Sequence, residues 1–194
     1  MKKLTTRDIQ SLKTKTNIRE AANSLFSTKD YDKVKVVDIC KRAGVSTGAF
    51  YHYYHSKEDI INDTYNEFDL YAEEEMKNRT FDSRTAAILF LLYFEVKSIV
   101  DRGYIFTSCY FKNQLTNKER NIINKDRFFY KQLLKEVTGA IANGEIKYES
   151  AEKLTDFLLR ITRGSIYNWC LHSGNYNLVE QTTEDIQFIL ESIR

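Results

Sequence analysis

Six consecutive positions, Phe50, Tyr51, His52, Tyr53, Tyr54 and His55, crowd rings into the stretch "GVSTGAFYHYYHSKEDI" (44–60). Phenol hydroxyls and imidazole nitrogens can bond a partner, and an imidazole can also bind a metal or carry a proton. A metal is not expected, because tetrahedral sites need three or four ligands and no third histidine joins His52 and His55, with the cationic Lys57 close behind them. Catalysis is not expected either. The chain has no nucleophile elbow, no phosphate-cradling glycine loop and no histidine with an acid and a nucleophile at readable spacing. No cofactor is implied. What remains is hydrogen bonding and ring packing against a partner.

The elements that position these residues read as helices. Ile18, Ala22, Leu25 and Phe26 share one face of a helix over 16–27. A short helix over 36–44 turns Val36, Ile39 and Ala43 inward, and Gly44 stops it. Ser46 is placed to cap the next helix, in which Phe50 and Tyr54 point inward with Tyr53 near them. Thr47, Gly48, Tyr51 and His52 face the other way. Ser56 to Asp59 matches a capping box, so a further helix starts at about Lys57 and carries Ile61, Tyr65, Phe68, Ala72 and Met76 on one face. Two short helices joined by "AGVS" form a helix-turn-helix, whose second helix suits a DNA major groove. Small residues at its start let the backbone come close, and Tyr and His can reach phosphates while their rings pack on sugars.

The charge distribution agrees. The chain has 194 residues and a net charge of +2. Residues 1–56 hold eleven Lys or Arg against five Asp or Glu, a net of +6, and the rest is net −4. A basic head on an acidic body suits a polyanion, although a solvated basic face with no partner has the same charge.

The segment "NIREAANSLF…YDKVKVVDICKRAGVSTGAFYHYYHSKEDII", roughly residues 12–62, resembles the DNA-binding domain of the TetR/AcrR family of bacterial transcriptional regulators. The resemblance rests on the apolar pattern of the first helix, "DI" before the turn, "AGVS", the ring cluster and "SKED". It implies that Thr47 and Ala49 face the groove and that Gly48 is a close-approach position. It places Tyr51 and Lys57 on phosphates, and His52 and Tyr53 on bases or backbone. Lys15 and Thr16, taken as opening the first helix, are weaker phosphate candidates. Lys35 stands where the family often has a capping Thr or Ser, so that cap needs another partner or Lys35 reaches the DNA backbone.

The remainder reads as an all-α body with helices over 83–102, 104–115, 117–144, 150–172 and 183–193. A "GEI" at 144–146, common in the family, precedes the fourth of these. His172 is expected where that helix ends, as a partner of its dipole. Leu154, Phe157, Leu158, Ile161, Ser165, Ile186, Ile189, Leu190 and Ile193 form stripes on the last two helices. They suit either the chain's own core or a four-helix homodimer interface, which the family resemblance favours. Tyr93, Phe94, Tyr104, Phe106, Tyr110, Phe111, Phe128, Phe129, Tyr167 and Trp169 concentrate in the middle helices, where the family holds a small-molecule pocket. Ser108 and Asn168 are its candidate polar handles; Arg102 and Arg163 read as surface residues, with an anionic ligand facing them as the other reading. Packed core is the other reading of the rings.

The expected architecture is all-α, with a helix-turn-helix DNA-binding domain over 1–56 and an effector-binding and dimerisation domain over 57–194, joined by the helix 57–79. No apolar run reaches the roughly 20 residues of a membrane span, and Cys40, Cys109 and Cys170 read as reduced core residues of a cytoplasmic protein. The expected function is a DNA-binding regulator, in this family most often a repressor. It would hold a palindromic double-stranded operator as a homodimer and be released by an unknown small molecule. Two alternatives stay open: a TetR-like DNA-binding protein without inducer, serving chromosome organisation or division control, and a helical enzyme or binding protein with an incidental basic head.

Overall fold

The structure, a computed structural model, describes residues 5–116 and 120–194. Among the described residues there are nine α-helices, two 3₁₀ turns and no strand. The chain forms two compact units, one ending at Thr64 and one starting at Tyr65. The division falls inside a helix, α4 (Lys57–Lys77), rather than before it as the capping pattern suggested. The reason is that Ile60, Ile61 and Asp63 belong to the packing and bonding of the first unit.

The first unit holds α1 (Thr6–Phe26), a 3₁₀ turn (Tyr31–Lys33), α2 (Val36–Ala43), α3 (Thr47–Tyr53) and the start of α4. Helix α1 begins ten residues earlier than the hydrophobic pattern indicated. Thr5 caps it: its hydroxyl accepts from the Asp8 N–H at 3.2 Å, and the Asp8 carboxylate accepts from the Thr5 N–H at 2.9 Å. Of the inward faces read from the sequence, Ile18, Ala22, Leu25, Phe26, Ile39, Phe50, Tyr54 and Ile61 are buried, whereas Val36 and Ala43 are half-buried; Ile60 is buried beside them.

The second unit holds the rest of α4 with α5 (Arg84–Arg102), α6 (Tyr104–Thr116), α7 (Phe128–Ala142), α8 (Ala151–Leu171) and α9 (Leu178–Ser192). Helix α5 packs on α7 and α9, and α8 packs on α6, α7 and α9. Helix α7 starts at Phe128 and not at 117. Residues 117–119 lie outside those described, Asn121–Ile123 form a 3₁₀ turn, and Asn124 Oδ1 accepts from the Asp126 N–H at 2.9 Å, which turns the chain. Helix α9 starts at Leu178 because Asn177 Oδ1 accepts from the Glu180 N–H at 3.2 Å. His172 takes the C-cap position of α8.

The "GEI" segment has a physical role. Gly144 sits at φ +71°, a left-handed position that ends α7. Glu145 then accepts from the N–H groups of Arg84 and Thr85 at 3.1 and 2.8 Å, capping α5 from a distance. Burial pushes the Glu145 carboxyl up, but these bonds outweigh it and hold the group below its ordinary value. Ile146 is buried in the core.

Candidate functional site

The turn between α2 and α3 is built from three residues. Gly44 adopts φ +67°, where side chains are strained, and the Val45 N–H donates to the Cys40 carbonyl at 3.1 Å. Ser46 caps α3, its hydroxyl accepting from the Ala49 N–H at 3.1 Å. Phe50 and Tyr54 are buried, which fixes the rotation of α3. Thr47, Gly48, Tyr51 and His52 then lie together on its exposed side, and Ala49 is half-buried. A methyl group on Gly48 would meet nothing nearer than the Ser46 hydroxyl at 3.9 Å. Nothing inside the chain therefore calls for glycine there, although glycine in a helix costs about 0.5–1 kcal/mol.

The other candidates for DNA contact sit differently from expectation. Lys15 and Thr16 do not open α1; the Thr5 cap puts both well inside it, and Thr16 is half-buried. Lys15 Nζ donates to Asp63 at 2.9 Å, and Tyr54 O–H donates to the same carboxylate at 2.8 Å. Arg19 completes the cluster at 3.4 Å. Burial pushes Asp63 up, but the hydrogen bonds of Lys15 and Tyr54 and the charges of Lys15 and Arg19 outweigh it and hold its carboxyl below the ordinary value. Tyr53 is half-buried with its hydroxyl 3.2 Å from that of Ser11, so it faces α1. Lys57 is half-buried; its Nζ donates to the carbonyls of Tyr31 and Val34 at 2.7 and 3.2 Å and lies 4.0 Å from the Tyr31 ring centre. Lys35 is exposed, and the α2 start is served by Asp38, which accepts from the Lys35 N–H at 3.1 Å. This is half of a capping box, legible as K-x-x-D once the reach back from Asp38 is considered.

Residues 18–64, spanning the helix-turn-helix, match the profile of bacterial regulatory proteins of the tetR family. Over those residues the chain is similar to the tetR family. It is 24% identical over 182 residues to the fatty acid metabolism regulator protein of Bacillus subtilis (strain 168), across 91% of this chain and 93% of that one. The structure is similar to that of the regulator FadR from Bacillus subtilis, solved with stearoyl-CoA, with a TM-score of 0.69 and 20% identity over 92% and 99% of the two chains. A protein from Saccharomonospora viridis, solved with choline, gives a TM-score of 0.73 at 15% identity over 93% and 96%. At these identities the structural likeness shows a shared fold. No described helix is long and apolar enough to cross a membrane.

In the second unit the candidate pocket rings do not line one space. Phe94 and Phe129 pack against Phe68 in the main core, with Phe128 beside them. Phe106 and Tyr110 form a second group with Tyr65. Trp169 belongs to a third with Val96, Ile166 and Leu178, and its indole N–H donates to the Tyr176 carbonyl at 3.2 Å. Phe111 meets Tyr167 beside an open groove of about 340 Å³ that also takes in Ser108. Tyr93, Tyr104, Tyr167, Ser108 and Asn168 are exposed, which removes them from any enclosed pocket. Ser108 donates to the Tyr104 carbonyl and Asn168 to the Tyr176 hydroxyl, so neither stands as a free polar handle. Arg163, read as a surface residue, is half-buried with its Nε sealed from solvent.

The dimer candidates also divide. Leu154, Leu158, Ile186 and Leu190 are at most 1% exposed and fill the chain's own core, so they have no surface for a partner. Phe157, Ile161, Ser165, Ile189 and Ile193 are half-buried. Ile161, Ser165 and Ile189 line an open groove of about 510 Å³ along α8 and α9, together with Gly164 and Phe188. Phe188 is 74% exposed and does not stand out in the sequence, because it falls outside the stripe that the core positions define.

Proposed function

We propose that this regulator binds a palindromic operator as a homodimer through the exposed side of α3, and that a small molecule in the second unit releases it, making it a repressor. The observation that carries the reading is α3 itself. Its inner side is locked by Phe50, while Thr47, Gly48, Tyr51 and His52 stand outward around a glycine that the chain does not need for its own packing. Close approach of an external surface supplies the reason for Gly48. Thr47 and His52 are assigned to base edges and Tyr51 to phosphate. The first unit, ending at Thr64, is assigned to DNA binding and the second, starting at Tyr65, to effector binding and dimerisation.

Two-fold symmetry supplies the second recognition helix, which must lie about 34–36 Å from the first to meet successive major grooves. The exposed apolar face of α8 and α9, centred on Phe188, Ile161 and Ile189, supports that assembly. Relatives solved with stearoyl-CoA and with choline support a ligand-responsive second unit. The test is fluorescence anisotropy with the DNA upstream of the protein's own gene. Specific, salt-sensitive binding by a dimer is expected, and indifference to every DNA tried would overturn the reading. A second reading, DNA binding without an inducer, is favoured by the tight packing of Trp169 and Phe129, which are only 5% and 3% exposed. A many-site, ligand-insensitive genomic footprint would select it.

A further inference from the structure

The opening turns of α1 contribute little to the core. The helix starts at Thr6, but its first buried residue is Ile18. Residues 6–17 also precede the stretch that matches the tetR profile. Helices shorter than about 12–15 residues are marginal in water unless something packs on them. Few groups of the chain do so here. The Ser11 hydroxyl lies 3.2 Å from that of Tyr53, and Lys15 Nζ donates to Asp63 at 2.9 Å. Thr5 and Asp8 cap the free end. These bonds leave the composition unexplained. Residues 1–17 hold five Lys or Arg against one Asp, and that Asp is occupied by the cap.

The same bonds fix which way the segment faces. Toward its start, α1 meets first Tyr54, over whose ring Lys15 Nζ lies at 5.4 Å, and then Tyr53 through Ser11. Those positions on α3 and at its end run outward. Tyr54 is buried and Tyr53 half-buried, while His52 is exposed and packs edge-on against the Tyr53 ring with centres 4.9 Å apart. Helix α1 therefore emerges beside the exposed side of α3, one ring away from His52. Arg7, one turn before Ser11, falls on the same face about 6 Å nearer the helix start. It is exposed, and among the described residues nothing pairs with its guanidinium. Lys13, two residues after Ser11, is exposed on the far side of the helix.

We propose that the start of α1 is a second DNA contact, in which Arg7 donates to a backbone phosphate flanking the groove that α3 enters. The inference rests on the operator reading above. Continuity and charge select the occupant. Phosphates line both edges of a major groove, so a cation held beside the recognition helix meets them. A guanidinium presents a fork of donors that matches phosphate oxygens. Because Ser11 is bonded to Tyr53, the contact is held in fixed relation to α3 and sets the register of that helix on the duplex.

The test is fluorescence anisotropy of the full-length protein on the duplex selected from random sequence for tightest binding. Arg7→Gln should weaken binding to that duplex and to unrelated DNA alike. It should flatten the slope of log affinity against log salt by about 0.9 for each phosphate released, or about 1.8 for a dimer on two half-sites. Between about 50 and 200 mM salt, the advantage of the wild type over this variant should shrink about 3.5-fold per half-site. Arg7→Lys keeps the charge and should keep the slope. Lys13→Gln removes the same charge from the far side and should leave the slope unchanged. Glutamine forms helix about as well as arginine and lysine, so these variants isolate the charge. Replacing single phosphates by methylphosphonates then locates the contact. One flanking phosphate per half-site should be costly to neutralise for the wild type and without further cost in Arg7→Gln. An unchanged slope in Arg7→Gln, equal effects of Arg7→Gln and Lys13→Gln, or one phosphate pattern for wild type and Arg7→Gln overturns the inference and leaves the operator reading standing. If the wild type binds no DNA, the operator reading fails and this inference with it.

Discussion

Lys57→Met separates two roles for one lysine. The family resemblance puts Lys57 on a DNA phosphate; the structure has its ammonium donating to the Tyr31 and Val34 carbonyls at 2.7 and 3.2 Å, over the Tyr31 ring at 4.0 Å. Those carbonyls close the 3₁₀ turn that leads into α2. Methionine keeps the apolar stem and removes all three donors. Hydrogen bonds involving a charged group contribute about 1.5–3 kcal/mol when buried, and a cation over a ring about 0.5–1 kcal/mol when exposed. Lys57 is half-buried, so a loss of about 2–3 kcal/mol is expected, the lower part of that combined range. Urea unfolding followed by far-ultraviolet circular dichroism reads the stability. Anisotropy over a salt series reads the DNA contact. If Lys57 is an internal staple, the urea midpoint falls and operator affinity weakens at every salt with an unchanged slope. If it grips phosphate, stability holds and the slope of log affinity against log salt flattens by about 0.9 for each phosphate no longer neutralised. That second pair of results would refute the staple.

Tyr51→Phe should weaken binding to all DNA sequences alike, whereas Thr47 and His52 substitutions should change which base pairs are preferred in a randomised-operator selection. Phe188→Glu, at a side chain 74% exposed in the single chain, should leave a folded monomer in sedimentation and abolish tight operator binding; a normal dimer would place the interface elsewhere. Asp63 has a depressed carboxyl pKa in the folded state, so its bonds stabilise the protein above the unfolded value of about 3.9 and lose that effect as pH falls through the folded value. The stability gap between wild type and Asp63→Asn should therefore shrink from pH 7 toward pH 3, and a constant gap would count against the bonded cluster.

The inward faces of α1, α2 and α3 were legible because period and glycine placement act locally: Ile18, Ile39 and Phe50 are all fully buried. Helix starts were less legible where the cap uses an unfamiliar acid. Asp8 at Thr5 and Asp38 at Lys35 each reach back to a backbone N–H, as Glu does in the commoner capping box. The stripes on the last two helices divided. A wide apolar face on α8 does not say which edge turns inward, and Leu154 and Leu158 proved to be core while Ile161 is partly open. Arg163 reads as a surface residue yet is half-buried with its Nε sealed from solvent, because one dimension does not show the depth of a charged residue in an apolar helix. Ring composition leaves pocket and core both open for a similar reason: aromatic side chains concentrate in both.

The bonding of α4 bears on how a ligand signal would reach α3. Three residues at the start of α4 are tied to the helix-turn-helix. Lys57 holds the 3₁₀ turn, Glu58 accepts from the Tyr31 hydroxyl at 2.7 Å, and Asp63 accepts from Lys15 on α1 and from Tyr54 at the end of α3. Hydrogen bonds weaken steeply with distance and angle, so these ties resist sliding of α4 past its neighbours. Displacement of the helix start must then carry α1, α2 and α3 as one body. Asp63→Asn, which loosens the tie to Lys15 and Tyr54, should therefore lower operator affinity in fluorescence anisotropy, and an unchanged affinity would count against this fastening of the helix start.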